Sequence, residues 1–143
     1  MPRLPGTMER VPLHTAPHVQ KRIRERTARR VKDMMGAPPY LITQRIAALE
    51  REWDIERALE ANAAAVTLTS VALGAFLDRR WFALTAVVGG FLLQHALQGW
   101  CPPLPVLRRL GFRTAGEIAG EIVALRRLRG DFEAVSRAPA SGG

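Results

Sequence analysis

Hydrophobic and polar positions along this 143-residue chain fall into blocks. Between Ala61 and Leu97 the only ionisable side chains are the triplet Asp78, Arg79, Arg80 and a single histidine, His95, whereas the flanks carry almost all of the 21 Lys and Arg. The triplet divides two apolar runs, so the pattern predicts a helical hairpin. The first run, Ala61 to Leu77, has 17 residues. That is about 26 Å of helix, close to a hydrocarbon core of about 30 Å once snorkelling flanks are counted. The second begins at Trp81 and, Thr85 apart, is purely apolar only to Leu93, a length that suits a buried soluble helix equally well. Its borders favour a membrane, because the 19 steps from Trp81 to Trp100 make about 29 Å of helix, the separation of two interfacial aromatic belts.

The flanks read as helices of another kind. Residues 1–14, with Pro2, Pro5, Gly6 and Pro12, have no apolar period and predict a flexible arm; they hold no apolar core of a cleavable signal peptide, so insertion is expected to rely on the hairpin. A helix is predicted from Thr15 as N-cap, with Pro17 in its first turn, to Gly36 before Pro38 and Pro39. A second starts at Tyr40 with a narrow stripe of Ile42, Ile46, Leu49 and Trp53 under mixed surface charge, a neck helix with nothing to break it before Ala61. These basic and neck helices fill residues 15–57 and the two-span domain residues 58–112. Beyond the span the prolines of Gly99-Trp100-Cys101-Pro102-Pro103 stop the helix, and Leu104 to Phe112, with Arg108 and Arg109, predict a short interfacial segment. Thr114-Ala115-Gly116-Glu117 is a capping box that opens a last amphipathic helix within residues 113–135. Ile118, Ile122, Leu125 and Leu128 share one face; Glu117, Glu121, Arg126 and Arg127 share the other, so the helix is expected to lie on the membrane or against the neck. Residues 136–143 predict a disordered tail. The fold class is all-α: a two-span transmembrane hairpin with N-terminal basic and neck helices and a C-terminal amphipathic interfacial helix.

Charge sets the partners. A formal net charge of +8 calls for an anionic surface. Between Gln20 and Lys32 seven basic residues face the single Glu25, and Lys21, Arg22, Arg26, Arg29 and Lys32 are the candidate contacts to anionic lipid, each worth roughly 1 kcal/mol near a charged leaflet. A solvated face is the plain alternative; nucleic acid is disfavoured because no stacking aromatics accompany the charges. Arg45, Arg51, Arg57, Arg108, Arg109 and Arg113 flank the end shared by both termini and only Arg79 and Arg80 the turn, which by the positive-inside rule places both termini in the cytoplasm.

Four groups of residues carry what chemistry there is. His95, with Gln94 and Gln98 beside it, is an ionisable group inside a span, hence a candidate functional site or the lining of an oligomeric pore; at headgroup depth it would instead meet water. Cys101, the single cysteine, excludes an intramolecular disulfide and a multi-cysteine zinc site. It is a candidate redox or sulfur-carrying thiol, although the negative end of a helix disfavours its thiolate. Ser70 with Gly74, and Ala86 with Gly90, have small-xxx-small spacing for close helix packing or self-association. His14 and His18 are four apart, but Pro17 puts His14 outside the helix and no third ligand is near, so neither metal nor cofactor is assigned.

Glu56-Arg57 before the first span, Gly89-Gly90 within the hairpin, and Gly99-Trp100-Cys101-Pro102 followed by Leu107 to Gly111 carry a resemblance. From about Trp53 to Phe112 the chain resembles the two-helix transmembrane domain of YgaP-like bacterial inner-membrane proteins, a domain of unknown function. The link from Cys101 to Gly111 is longer here and adds Pro103 and Pro105. The resemblance implies a bacterial inner-membrane location and dimerisation through the hairpin. Some members join this domain to a rhodanese sulfurtransferase, for which 143 residues leave no room, so that activity is not carried over. The expectation is a non-enzymatic membrane anchor or interaction protein, homo-oligomeric, with a possible cytoplasmic protein partner. The alternatives are a redox or sulfur-relay accessory using Cys101 and a pore lined by Gln94, His95 and Gln98.

Overall fold

The computed structural model describes Gly6 and residues 8–133; the predicted tail and the first residues of the arm lie outside these. The described residues form seven helices and no strand: α1 (Arg10–Leu13), α2 (Pro17–Asp33), α3 (Pro39–Glu50), α4 (Ile55–Phe76), α5 (Trp81–Gln98), α6 (Leu104–Leu110) and α7 (Ala115–Arg129). They form two compact units. One holds the described residues up to Gln20 with Trp53–Thr114, and the other holds Lys21–Glu52 with the described residues from Ala115 onward.

In the first unit α4 and α5 form the hairpin, joined at Leu77–Arg80, where the Asp78 carboxylate accepts the Arg80 backbone N–H at 2.8 Å. Near the turn the two helices touch through small and polar groups. Ser70 and Thr85 hydroxyls share a hydrogen bond of 2.6 Å, and a Cβ on Gly74 would press on the Phe82 ring at 3.0 Å. Leu68, Phe76, Leu93 and Leu97 point outward and are exposed. Only 6% of Trp81–Gln98 is buried, whereas the core helix of a soluble domain is mostly buried, and among the described residues the two stretches long and apolar enough to cross a bilayer are Pro39–Phe76, which takes in α4, and α5. At 22 and 18 residues they measure about 33 and 27 Å.

The other end of the hairpin holds the unit's core: Val11, Ile55, Leu59, Cys101 and Leu104, with Leu107 and Phe112 against them. Here the structure corrects three expectations. The arm is ordered from Met8 onward: α1 forms and Val11 is buried, because an apolar side chain with a core to enter can hold even a one-turn helix. The neck does not run on into the span. Asp54 takes an extended conformation and its carboxylate accepts the Arg57 N–H at 2.7 Å, so it caps α4 and ends the run, leaving Trp53 outside both helices with Arg57 5.5 Å above its ring. Thr15 does not cap α2. Its hydroxyl donates to the Val11 carbonyl (2.9 Å) and accepts from the Arg108 guanidinium, while Ala16 supplies the first helical carbonyl.

Arg108, expected at the interface, is 1% exposed. It donates to Thr15 Oγ1 (3.0 Å), the Phe112 carbonyl (3.0 Å) and Gln20 Oε1 (2.6 Å). A buried guanidinium survives only when its donors are met in this way. The N–H of Ile55 donates to the Arg113 carbonyl at 2.8 Å, so the entry to α4 and the exit from α6 are tied directly.

In the second unit α3 packs on α7. Ile42, Ile46 and Leu49 meet Ile118 and Leu125, with Met34, Ala37 and Ile122 against them. Glu121, read from the sequence as surface, is buried and accepts from Arg45 at 2.9 Å. Arg126 with Glu50 and Arg129 with Asp131 pair at the exposed rim. Gly36, where a helix end is predicted, and Gly130, directly after α7, both take positive φ, the usual conformation of a helix-ending glycine.

Candidate functional site

The chemistry collects where α5 ends. The last carbonyls of any helix lack intrahelical donors, and α1 provides them here: Arg10 Nη1 donates to Ala96 O (3.1 Å) and His14 Nε2 to Gln98 O (3.1 Å). The Arg10 guanidinium is a cation at this negative end, which is favourable. The other arm of the Arg10 guanidinium pairs with Glu56 Oε1 at 2.6 Å. α1 comes this close because Gly99, at φ 78°, has no Cβ; one built there would lie 2.5 Å from Arg10 Cβ and 2.7 Å from its backbone.

His95 lies under this strap, 7% exposed, and neither Nδ1 nor Nε2 has a hydrogen-bond partner among the described residues. It stands between two cavities. One, about 270 Å³, is an apolar cleft between α4 and α5 lined by Leu59, Val66, Leu84, Val88 and Phe91, with Asn62, His95 and Cys101 as its polar members. The other, about 150 Å³, is mixed, with Arg10, Glu56 and Glu60 as its charged members beside Leu59, Leu92 and Ala96.

Cys101 is buried in the core below the hairpin and lines the cleft. Burial pushes its thiol pKa upward, against a smaller opposing pull from a hydrogen bond with the Leu104 backbone. A neutral, enclosed thiol is a packing group and a poor nucleophile.

Of the residues singled out from the sequence, His95 and Cys101 come together in the cleft, whereas Gln94 and Gln98 are not part of its lining. Ser70 and Gly74 are used inside the hairpin, while Ala86 and Gly90 are exposed and a Cβ on Gly90 would meet nothing within 4 Å. Lys21, Arg22, Arg26, Arg29 and Lys32 are exposed along α2, with Lys21 and Arg29 each 3.9 Å from Glu25. No group of three metal-ligating side chains occurs among the described residues. Arg10, Glu56 and Glu60 were not foreseen as neighbours of His95. The i,i+4 spacing of the two glutamates is visible in the sequence, but nothing local marks Arg10.

An all-α chain whose two most apolar helices pair near their turn through Ser70 and Thr85 and are each long and apolar enough to cross a bilayer falls in the class of helical hairpins with two candidate membrane spans. Within that class, residues 54–117 match the family model described as inner membrane protein YgaP-like, transmembrane domain. This segment takes in the whole hairpin, the strapped end with His95 and Cys101, α6 and the start of α7. Comparison with curated proteins and with solved structures gives no match.

Proposed function

We propose that this protein is a small bacterial inner-membrane anchor that self-associates through its hairpin and presents its other helices to the cytoplasm. The observation that carries the reading is the open face of α5. A Cβ built on Gly89 or Gly90 meets no atom within 4 Å, and exposed Ala86, Leu93 and Leu97 extend that face along the helix. Lipid tails drive no apolar association of helices, so close backbone approach at small residues is what a membrane dimer needs. Six flanking arginines on the terminal side against Arg79 and Arg80 in the turn support cytoplasmic termini. The exposed basic run of α2 supports contact with anionic lipid.

Two observations favour the anchor over its alternatives. The buried, protonated Cys101 thiol opposes a sulfur relay, and the separation of His95 from Gln94 and Gln98 opposes a shared pore lining. The test is chemical crosslinking of the full chain in membranes with wild type and Gly90→Leu. A crosslinked dimer whose yield falls severalfold in the variant is the expected result; equal yields would refute self-association through this face.

A further inference from the structure

We propose that the cleft between α4 and α5 is a binding site for a membrane-resident lipophile with a neutral, hydrogen-bonding head, of the quinone class, whose carbonyl oxygen is held by His95. Three observations assign the occupant. The first is the unmet imidazole. A neutral histidine carries one N–H donor and one acceptor, and a buried polar group is normally satisfied; both His95 ring nitrogens are buried without a partner at the polar end of an otherwise apolar cleft. The second is charge. The cleft lining contains no Lys, Arg, Asp or Glu, and the charged neighbours on the far side of His95 are Glu56, Glu60 and an Arg10 already paired with Glu56 at 2.6 Å. An anionic head, such as a carboxylate or phosphate, finds no cation here, and a neutral carbonyl needs none. The third is shape. The walls are Leu59, Val66, Leu84, Val88 and Phe91 around about 270 Å³, near the lower limit of small-molecule pockets at about 300 Å³. That is room for a ring and the first part of a tail, with the remainder in lipid.

The head lies at the strapped end, with the Asn62 amide as a second polar wall, and the tail runs along α4 and α5 toward the turn. The site needs a single hairpin and is independent of self-association. No electron transfer is assigned to it.

The test is saturation binding of a decyl-substituted benzoquinone to the full chain in nanodiscs, against His95→Leu, His95→Gln and Val66→Phe, with folding checked by circular dichroism. Saturable binding is expected, weakened about three- to tenfold in His95→Leu, the loss of one hydrogen bond. Binding should be largely retained in His95→Gln, which keeps a donor, and lost in Val66→Phe, which fills the cleft. Competition is expected from other neutral-headed quinones. Absence of saturable binding, equal affinity in His95→Leu, or equal competition by laurate or a plain alkane would overturn the proposal; the last would show an unselective groove for acyl chains. Repeating the titration in Gly90→Leu separates this site from the self-association reading, since affinity there is expected to be unchanged.

Discussion

The α4–α5 hairpin and the α3–α7 pair are both two-helix packings, built inside out with respect to each other. In α3–α7 the branched aliphatics Ile42, Ile46, Leu49, Ile118 and Leu125 face inward and Arg126, Arg127 and Glu50 face outward. In the hairpin Ser70 and Thr85, with Gly74 against the Phe82 ring, form the contact near the turn, and Leu68, Phe76, Leu93 and Leu97 face outward. Water rewards the first arrangement through apolar burial. It gives no reason for the second, which is favourable only where the surroundings are themselves apolar and helices cohere by close packing and small hydrogen bonds. The contrast teaches that the solvent of each helix pair can be read from which side chains it hides.

The largest expected effect breaks this contrast by truncation. Leu125→Ala, at a position 0% exposed, should destabilise the α3–α7 pair by about 2–5 kcal/mol, whereas Leu93→Ala on the outer face of α5 should leave it nearly unchanged. Thermal unfolding in detergent measures both. Next comes an outward charge. Leu93→Lys should raise the cost of membrane insertion by about 3 kcal/mol, and Val123→Lys on the exposed side of α7 should change stability by no more than about 0.5 kcal/mol. Equal effects would remove the distinction between the two surfaces. Smaller still, Ser70→Ala deletes the 2.6 Å bond to Thr85 and should loosen the hairpin by about 0.6 kcal/mol, the usual worth of such a bond in a membrane.

The last prediction concerns Cys101. Its folded-state pKa lies above the unfolded value, so its contribution to stability is present below the ordinary thiol range of about 8.5 and is lost as pH rises through the folded pKa. Labelling by a thiol reagent at neutral pH should therefore be slow in folded protein and fast after denaturation; rapid labelling of the folded form would restore the redox reading.

Much of the architecture was legible because it follows local rules. The hairpin, its Asp78 turn, the Gly36 turn that follows α2, and the stripe Ile42, Ile46, Leu49 all obey period or capping chemistry. What escaped depends on contacts distant in sequence. A four-residue helix such as α1 is too short to show a period, so the Arg10 strap over Ala96, 86 positions away, left no trace. Arg108 looked like a surface arginine because its acceptors, Thr15 and Gln20, lie about ninety positions upstream. Trp53 fitted the heptad arithmetic, and the neighbouring Asp54 cap overrode it. His95 and Cys101 were singled out by residue type alone, and that they share one cleft is a tertiary fact.

The central claim, that the outward apolar surface of α4 and α5 lies in a bilayer, is tested most directly by extracting membranes that contain the full chain with alkaline carbonate. Retention in the membrane pellet is the predicted result, and release into the supernatant would contradict it.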